Sequence, residues 1–202
     1  MCNNEQKANE LFIKGDKKMK NDLRVIKTKE NLQNALLYLL EEKDLEKISI
    51  SELCKEARVN RGTFYLHFDS VEDLFSLYFQ EITEDLRRAY DEPYERVNYK
   101  LQDLEAHMIR IFHHVQKFAD FYTIVFNQKS PLMYYYDLLD VIRERIMKSL
   151  EIEESVIEKN YHASYQANAI LGIVMEWVTG DYKETAEELN ELILKFSKYY
   201  SV

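Results

Sequence analysis

ISISELCKEARVNRGTFYLHF, residues 48–68, is the stretch on which the fold turns. Its first half predicts a short amphipathic helix over residues 49–57. Ser49 is placed to cap it, and Glu52, three residues on, completes a capping-box pattern. Ile50, Leu53, Cys54 and Ala57 share one face. A break follows at Arg58-Val59. Asn60 then caps a second short helix that carries Arg61, Gly62, Thr63, Tyr65, Leu66 and His67, with Val59, Phe64 and Phe68 as apolar anchors. Two short helices joined by a tight turn, the second with polar residues at its N-terminal end, make the pattern of a helix-turn-helix.

Outward from this stretch the chain reads as helix after helix. Upstream, a helix over about 27–42 buries Leu32, Ala35, Leu36, Leu39 and Leu40. Thr28 is expected at its start, where a hydroxyl and free backbone N–H groups can meet a phosphate. Residues 1–22 are polar, with Lys14, Lys17, Lys18 and Lys20 clustered. They form either a flexible leader or a basic arm along a DNA backbone. Downstream, a helix over about 71–90 is expected to stop at Asp91-Glu92-Pro93, because proline disfavours helix in the residue before it. Further helices are expected over about 97–118, with Leu101 inward, over 120–127, and from Ser130-Pro131 to Leu150. The last two cover about 154–178, with Gly180 as a left-handed stop, and 185–200.

Composition agrees with an all-α chain. Of 202 residues 46% are hydrophobic, and only 4 are Gly and 2 Pro, too few for a turn-dense β fold. Net charge is −9, unevenly spread. Residues 1–70 hold 13 Lys+Arg against 12 Asp+Glu, or +1; residues 71–202 hold 14 against 24, or −10. A near-neutral head on an acidic body suits a protein whose head alone meets an anionic polymer, although acidic surfaces also serve solubility. Cys2 and Cys54 form no disulfide framework. The polar N-terminus and the lack of a membrane-length apolar run point to the cytoplasm. No Gly-rich phosphate loop, nucleophile elbow or HExxH is present, so no enzyme is expected. His107, His113, His114 and His162 include no pair four residues apart, so neither a metal nor another cofactor is expected.

Residues 59–68, VNRGTFYLHF, resemble the recognition helix of the TetR family of bacterial transcription regulators, and the resemblance extends into residues 32–44 and 70–79. It implies an all-α protein: an N-terminal three-helix DNA-binding head over residues 23–70, and a C-terminal helical bundle over 71–202 for effector binding and dimerisation. It also implies a ligand-responsive repressor that binds a palindromic, double-stranded operator as a homodimer. Arg61 either reads guanine in the major groove or rests on a phosphate. Thr63 contacts a base or phosphate, or packs. Gly62 permits close approach of backbone to DNA. Tyr65 and His67 resemble phosphate ligands, His67 being alternatively a half-buried structural histidine; Asn60, Ser49, Ser51 and Thr28 complete the expected DNA-binding set, although capping alone would also explain Ser49. Two positions depart from the family pattern. Arg58 stands where glycine is usual, and a left-handed backbone there costs a non-glycine residue about 1 kcal/mol, which predicts a reshaped turn. Val71 replaces a phosphate-binding lysine.

For the body, Met108, Phe112, Phe121, Tyr122, Phe126, Met133, Tyr135 and Trp177 are candidates to line a pocket for an apolar or aromatic effector, although aromatic and Met residues at helical spacing are usually core, and packing is the favoured reading of each one taken singly. The resemblance makes Ala163, Ala167, Ile170, Leu189, Ile193 and Phe196 the expected dimer contacts; the alternative is that both last helices complete the core of a single chain. The rival reading is a protein-interaction module of the same fold that has lost operator binding.

Overall fold

The computed structural model describes residues 23–98, 103–126, 132–149 and 155–199. Among them all regular structure is helical, and the chain divides into two compact units with the boundary between Phe75 and Ser76. The leader 1–22, Leu101, Ser130, Pro131, Leu150 and Tyr200 lie outside the described residues.

In the first unit, helix α1 covers residues 23–40 and buries Leu32, Ala35, Leu36, Leu37, Leu39 and Leu40. It starts several residues earlier than the sequence suggests, so Thr28 is not at its N-terminus. The Thr28 hydroxyl instead donates to the Arg24 carbonyl one turn back (2.8 Å), as hydroxyls inside helices do. A 3-10 turn, Leu45–Lys47, leads to α2 (Ile50–Glu56). Ser49 Oγ accepts from the Glu52 N–H at 3.2 Å, but the reciprocal half of the expected capping box is missing. The Glu52 carboxylate pairs with Lys43 Nζ, since an ammonium competes well for a carboxylate against a backbone amide.

The turn after α2 keeps its left-handed residue rather than being reshaped. Arg58 has φ 54°. Its N–H donates to the Lys55 carbonyl (3.3 Å), and the Val59 N–H donates to the Cys54 carbonyl (2.9 Å). This is the paired closure that usually carries glycine at the left-handed position. Arg58→Gly is therefore expected to raise the unfolding free energy by about 0.5–1 kcal/mol, the relief of left-handed strain less glycine's extra chain entropy. Urea unfolding of the full chain checks it.

Helix α3 (Arg61–Phe64) is followed by a further turn and by α4 (Val71–Arg96), whose first residues belong to the first unit and the rest to the second. α4 does not end at Asp91-Glu92-Pro93. It carries Pro93 inside it and continues to Arg96. Proline forfeits one backbone hydrogen bond, while side chains across the site hold the helix: Tyr90 stacks on Tyr94 (4.9 Å, 11°), and Asp91 accepts from buried Arg145 of the body at 3.0 Å.

The expected long helix over 97–118 is not continuous. Asn98 takes a left-handed φ of 49°, Ala106–Met108 forms a 3-10 turn, and α5 spans only Ile111–Lys117. The Ile109 carbonyl is held by Asn190 Nδ2 (3.2 Å) of a distant helix, a partner invisible to local periodicity. α6 (Ala119–Phe126), α7 (Met133–Ser149), α8 (Val156–Thr179) and α9 (Ala186–Tyr199) complete the body. α8 opens with a full capping box between Ser155 and Glu158. At its other end Gly180 is not left-handed. Its φ is −84°, and Asp181 (φ 61°) and Tyr182 (φ 52°) carry the reversal. A Cβ on Gly180 would lie 3.0 Å from the Glu176 carbonyl oxygen, so the glycine serves close approach.

A polar network crosses the body's core. His114, almost wholly buried, contacts Asp85 Oδ2 through Nδ1 (2.8 Å) and the Tyr122 hydroxyl through Nε2 (2.9 Å); Lys117 Nζ donates to Asp85 Oδ1 (2.7 Å). Burial pushes the His114 pKa down to about 4, with Asp85 only partly opposing it. Burial would raise the Asp85 carboxyl, but the bonds from His114 and Lys117 outweigh it and hold the pKa below its ordinary value. Burial also raises the Tyr122 hydroxyl. His114 is thus neutral, donating from Nδ1 and accepting at Nε2.

Candidate nucleic-acid interface

Asn60 Oδ1 accepts from the Gly62 N–H (2.8 Å) and so starts α3. Phe64 and Phe68 point into the first unit's core, with ring centroids 5.6 Å apart. That anchoring turns the opposite side of the segment outward. Arg61, Gly62, Tyr65 and Leu66 are exposed, while Thr63 and His67 are half-buried. Tyr65 lays its ring edge-on against Phe64 (5.7 Å, 83°) and remains half exposed. The Arg61 guanidinium makes no hydrogen bond or ion pair within the described residues, so its donors remain available. Ser49 and Ser51 are exposed at the start of α2, with Ser49 already committed as a cap. Thr28 sits within α1. Val71 is buried at the start of α4, where Ser70 Oγ accepts from the Asp73 N–H (3.1 Å). Asn60, Arg61, Gly62, Thr63, Tyr65 and His67 are thus gathered on one short element.

The body distributes its expected site residues differently. Phe112 meets Trp177 edge-on (5.9 Å), Phe121 meets Tyr122 (5.5 Å), Tyr122 stacks on Phe126 (6.1 Å), and Phe126 meets Tyr135 (6.2 Å). Phe112, Phe121, Tyr122 and Trp177 are fully buried; Met108 is half-buried, and Met133 is exposed. These side chains fill space against one another. An open cleft of about 680 Å³ lies elsewhere, along α4, α7 and the start of α8. Arg87, Asp137, Asp140, Arg143 and Glu144 line much of it, over an apolar floor of Phe79, Val141 and Met147.

Ala163 and Ala167 are 0% exposed within the single chain, and Leu189 is also buried. α8 packs chiefly on α7 and also on α6. Ile170 and Ile193 are half-buried, and only Phe196 of the six expected contacts is exposed. The outward face of α8 is a different stripe: Ile157, Tyr161, Tyr165, Asn168, Gly172 and Met175, at helical spacings of three and four. Tyr161 is 76% exposed and Tyr165 55%.

Two family models match this chain. That of bacterial regulatory proteins of the tetR family covers residues 34–77, and that of a TetR-type transcriptional regulator C-terminal region covers residues 102–199. The chain belongs to the TetR family. The uncharacterized HTH-type transcriptional regulator YxbF of Bacillus subtilis is 19% identical over 167 residues, 80% of this chain. The chain spans only 42% of that relative's length. Among solved structures, the dihydroxyacetone kinase operon activator DhaS shares 21% identity at TM-score 0.57, over 84% of this chain and 93% of that one. NalD, the secondary repressor of the MexAB-OprM multidrug efflux pump in Pseudomonas aeruginosa, shares 17% at TM-score 0.59, over 84% and 92%. These structural likenesses show the fold.

For this TetR-family chain, sequence reading missed the charged cleft, and it chose the Ala163, Ala167 and Ile170 face of α8 for contacts rather than the outward stripe. The cleft brings together residues from three helices, and no local motif marks it. The stripe did have a signal, since Tyr161, Tyr165 and Met175 share one face of α8. No helix among the described residues is long and apolar enough to cross a membrane.

Proposed function

We propose that the protein is a cytoplasmic, homodimeric transcriptional repressor that reads a palindromic operator through Asn60–His67 and releases it when a small effector binds the body. On this reading residues 23–70 bind DNA, and residues 71–202 bind the effector and the second copy. One observation carries the reading. Arg61, Gly62, Tyr65 and Leu66 stand exposed on a segment whose Phe64 and Phe68 are locked inward. That is the arrangement a helix needs to present side chains to base edges and phosphates.

The charged cleft along α4, α7 and α8 favours a polar effector over the apolar one suggested by the aromatic residues. Guanidinium groups at Arg87 and Arg143 and carboxylates at Asp137 and Asp140 can each meet an opposite charge. The effector lowers operator affinity only by its differential affinity for the DNA-competent and DNA-incompetent states. DhaS is an activator by name and NalD a repressor, so a reporter under the selected operator decides the sign here. Arg58 gives little support to the rival interaction-module reading, because it preserves the turn it was expected to disturb.

Selection of genomic DNA fragments with the purified full-length protein tests the proposal. A common inverted repeat should emerge, with affinity that falls steeply with salt and on Arg61→Ala. Recovery of fragments without a shared sequence would sink it. A Cβ on Gly62 would meet only Asn60 Oδ1, at an ordinary 3.5 Å. Gly62→Ala should therefore stabilise the helix by roughly 0.5–1 kcal/mol while weakening the selected operator several-fold. Thermal unfolding and binding on the same sample check both halves.

A further inference from the structure

Leu66 has no structural employment in the first unit. It is 78% exposed, the highest value among the described large hydrophobic residues. It lies in the turn that follows α3, between Phe64 and Phe68, whose buried side chains anchor that turn to the core while Leu66 stays outside it. The other exposed side chains of the segment, those of Asn60, Arg61 and Tyr65, all carry hydrogen-bonding groups; Leu66 carries none. Against a phosphate an isobutyl group gains nothing. In the major groove of duplex DNA the apolar feature on a base edge is the C5-methyl of thymine.

The geometry points to Leu66 as a specificity-determining residue that reads a thymine methyl by apolar contact. This rests on the operator-binding reading above and goes beyond it, because it assigns one base and one chemical group to one side chain. Each copy of the chain then demands a thymine at one position of its half-site, and the methyl and the leucine are desolvated together.

The test uses the full-length protein and the tightest duplex it recovers from a randomised library. Each thymine is replaced in turn, in both half-sites, by deoxyuridine, which deletes only the methyl. One symmetric pair of replacements should weaken binding by the wild-type protein about fourfold per half-site, the value of burying one methyl-sized group. The Leu66→Ala protein should bind more weakly and be indifferent to that replacement. The substitution lies at an exposed position, so its unfolding midpoint should match wild type, and a Leu66→Met protein should recover part of the methyl dependence. If a specific duplex is recovered but no thymine methyl matters to the wild type, or the same methyl matters equally to Leu66→Ala, the assignment to Leu66 is wrong and operator binding stands. If no duplex is recovered, operator binding itself fails, and this assignment fails with it.

Discussion

If the protein binds its operator as the proposed homodimer, Gly172→Arg is expected to give a stable monomer with weakened operator binding. Within one chain the substitution is harmless. A Cβ at Gly172 meets nothing within 4 Å, and replacing a helix-interior glycine gains roughly 1 kcal/mol of helix propensity. Between two copies the effect is opposite. On the homodimer reading a second copy would cover the outward stripe of α8, where Ile157, Tyr161, Tyr165 and Met175 are exposed, and would bury an arginine placed at Gly172. An unpaired buried charge costs several kcal/mol. Losing the second half-site should lower operator affinity by about a hundredfold or more. Sedimentation equilibrium and operator binding, each over a range of protein concentration, read the two effects. Ala163→Leu provides the contrast. Ala163 is fully buried inside the chain, so the added bulk should lower the unfolding free energy by about 1–3 kcal/mol and leave the dimer in place. A dimeric Gly172→Arg protein with undiminished operator affinity would show that α8 joins no partner.

Acidification should destabilise the body through His114. In the folded chain its pKa is pushed down to about 4, against an ordinary 6.5. Below pH 6.5 the unfolded chain takes up a proton that the folded chain refuses until about pH 4. Stability therefore falls as pH drops through that window and is flat, for this group, above it. At 1.36 kcal/mol per unit the loss approaches roughly 3 kcal/mol by pH 4. Asp85 acts in the same direction at lower pH. Its depressed folded pKa favours the folded state above the ordinary carboxylate range, and that benefit is lost as pH falls through the folded value. His114→Gln isolates the histidine, since glutamine keeps a donor for Asp85 and an acceptor for Tyr122 but does not titrate. Urea unfolding at several pH values between 7 and 4.5 should show the wild-type advantage over His114→Gln shrinking with acid. A difference that stays constant with pH would remove the assignment.

Most of the first unit was legible because its determinants are local. Ser49 and Asn60 cap the helices they immediately precede, and Phe64 and Phe68 lie four residues apart on one face. The errors arose where a distant residue intervened. Pro93 reads as a stop, yet α4 runs past it while Asp91 is held by Arg145, far along the chain. The 97–118 pattern reads as one helix, yet it is broken ahead of Ile111, where the Ile109 carbonyl takes a hydrogen bond from Asn190. The aromatic residues of the body read as core with a pocket as the alternative, because periodicity reports that a side chain is apolar and not whether another fills the space beside it.

By itself the sequence determined an all-helical chain with a helix-turn-helix whose polar face is set by two phenylalanines, since hydrogen bonds to the next turn and a 3.6-residue period are properties of a few neighbouring residues. Tertiary structure alone decided which of the two apolar stripes of α8 is spent. Ala163 and Ala167 are buried inside the chain, where small side chains let helices close up, and Tyr161, Tyr165 and Gly172 are left facing out.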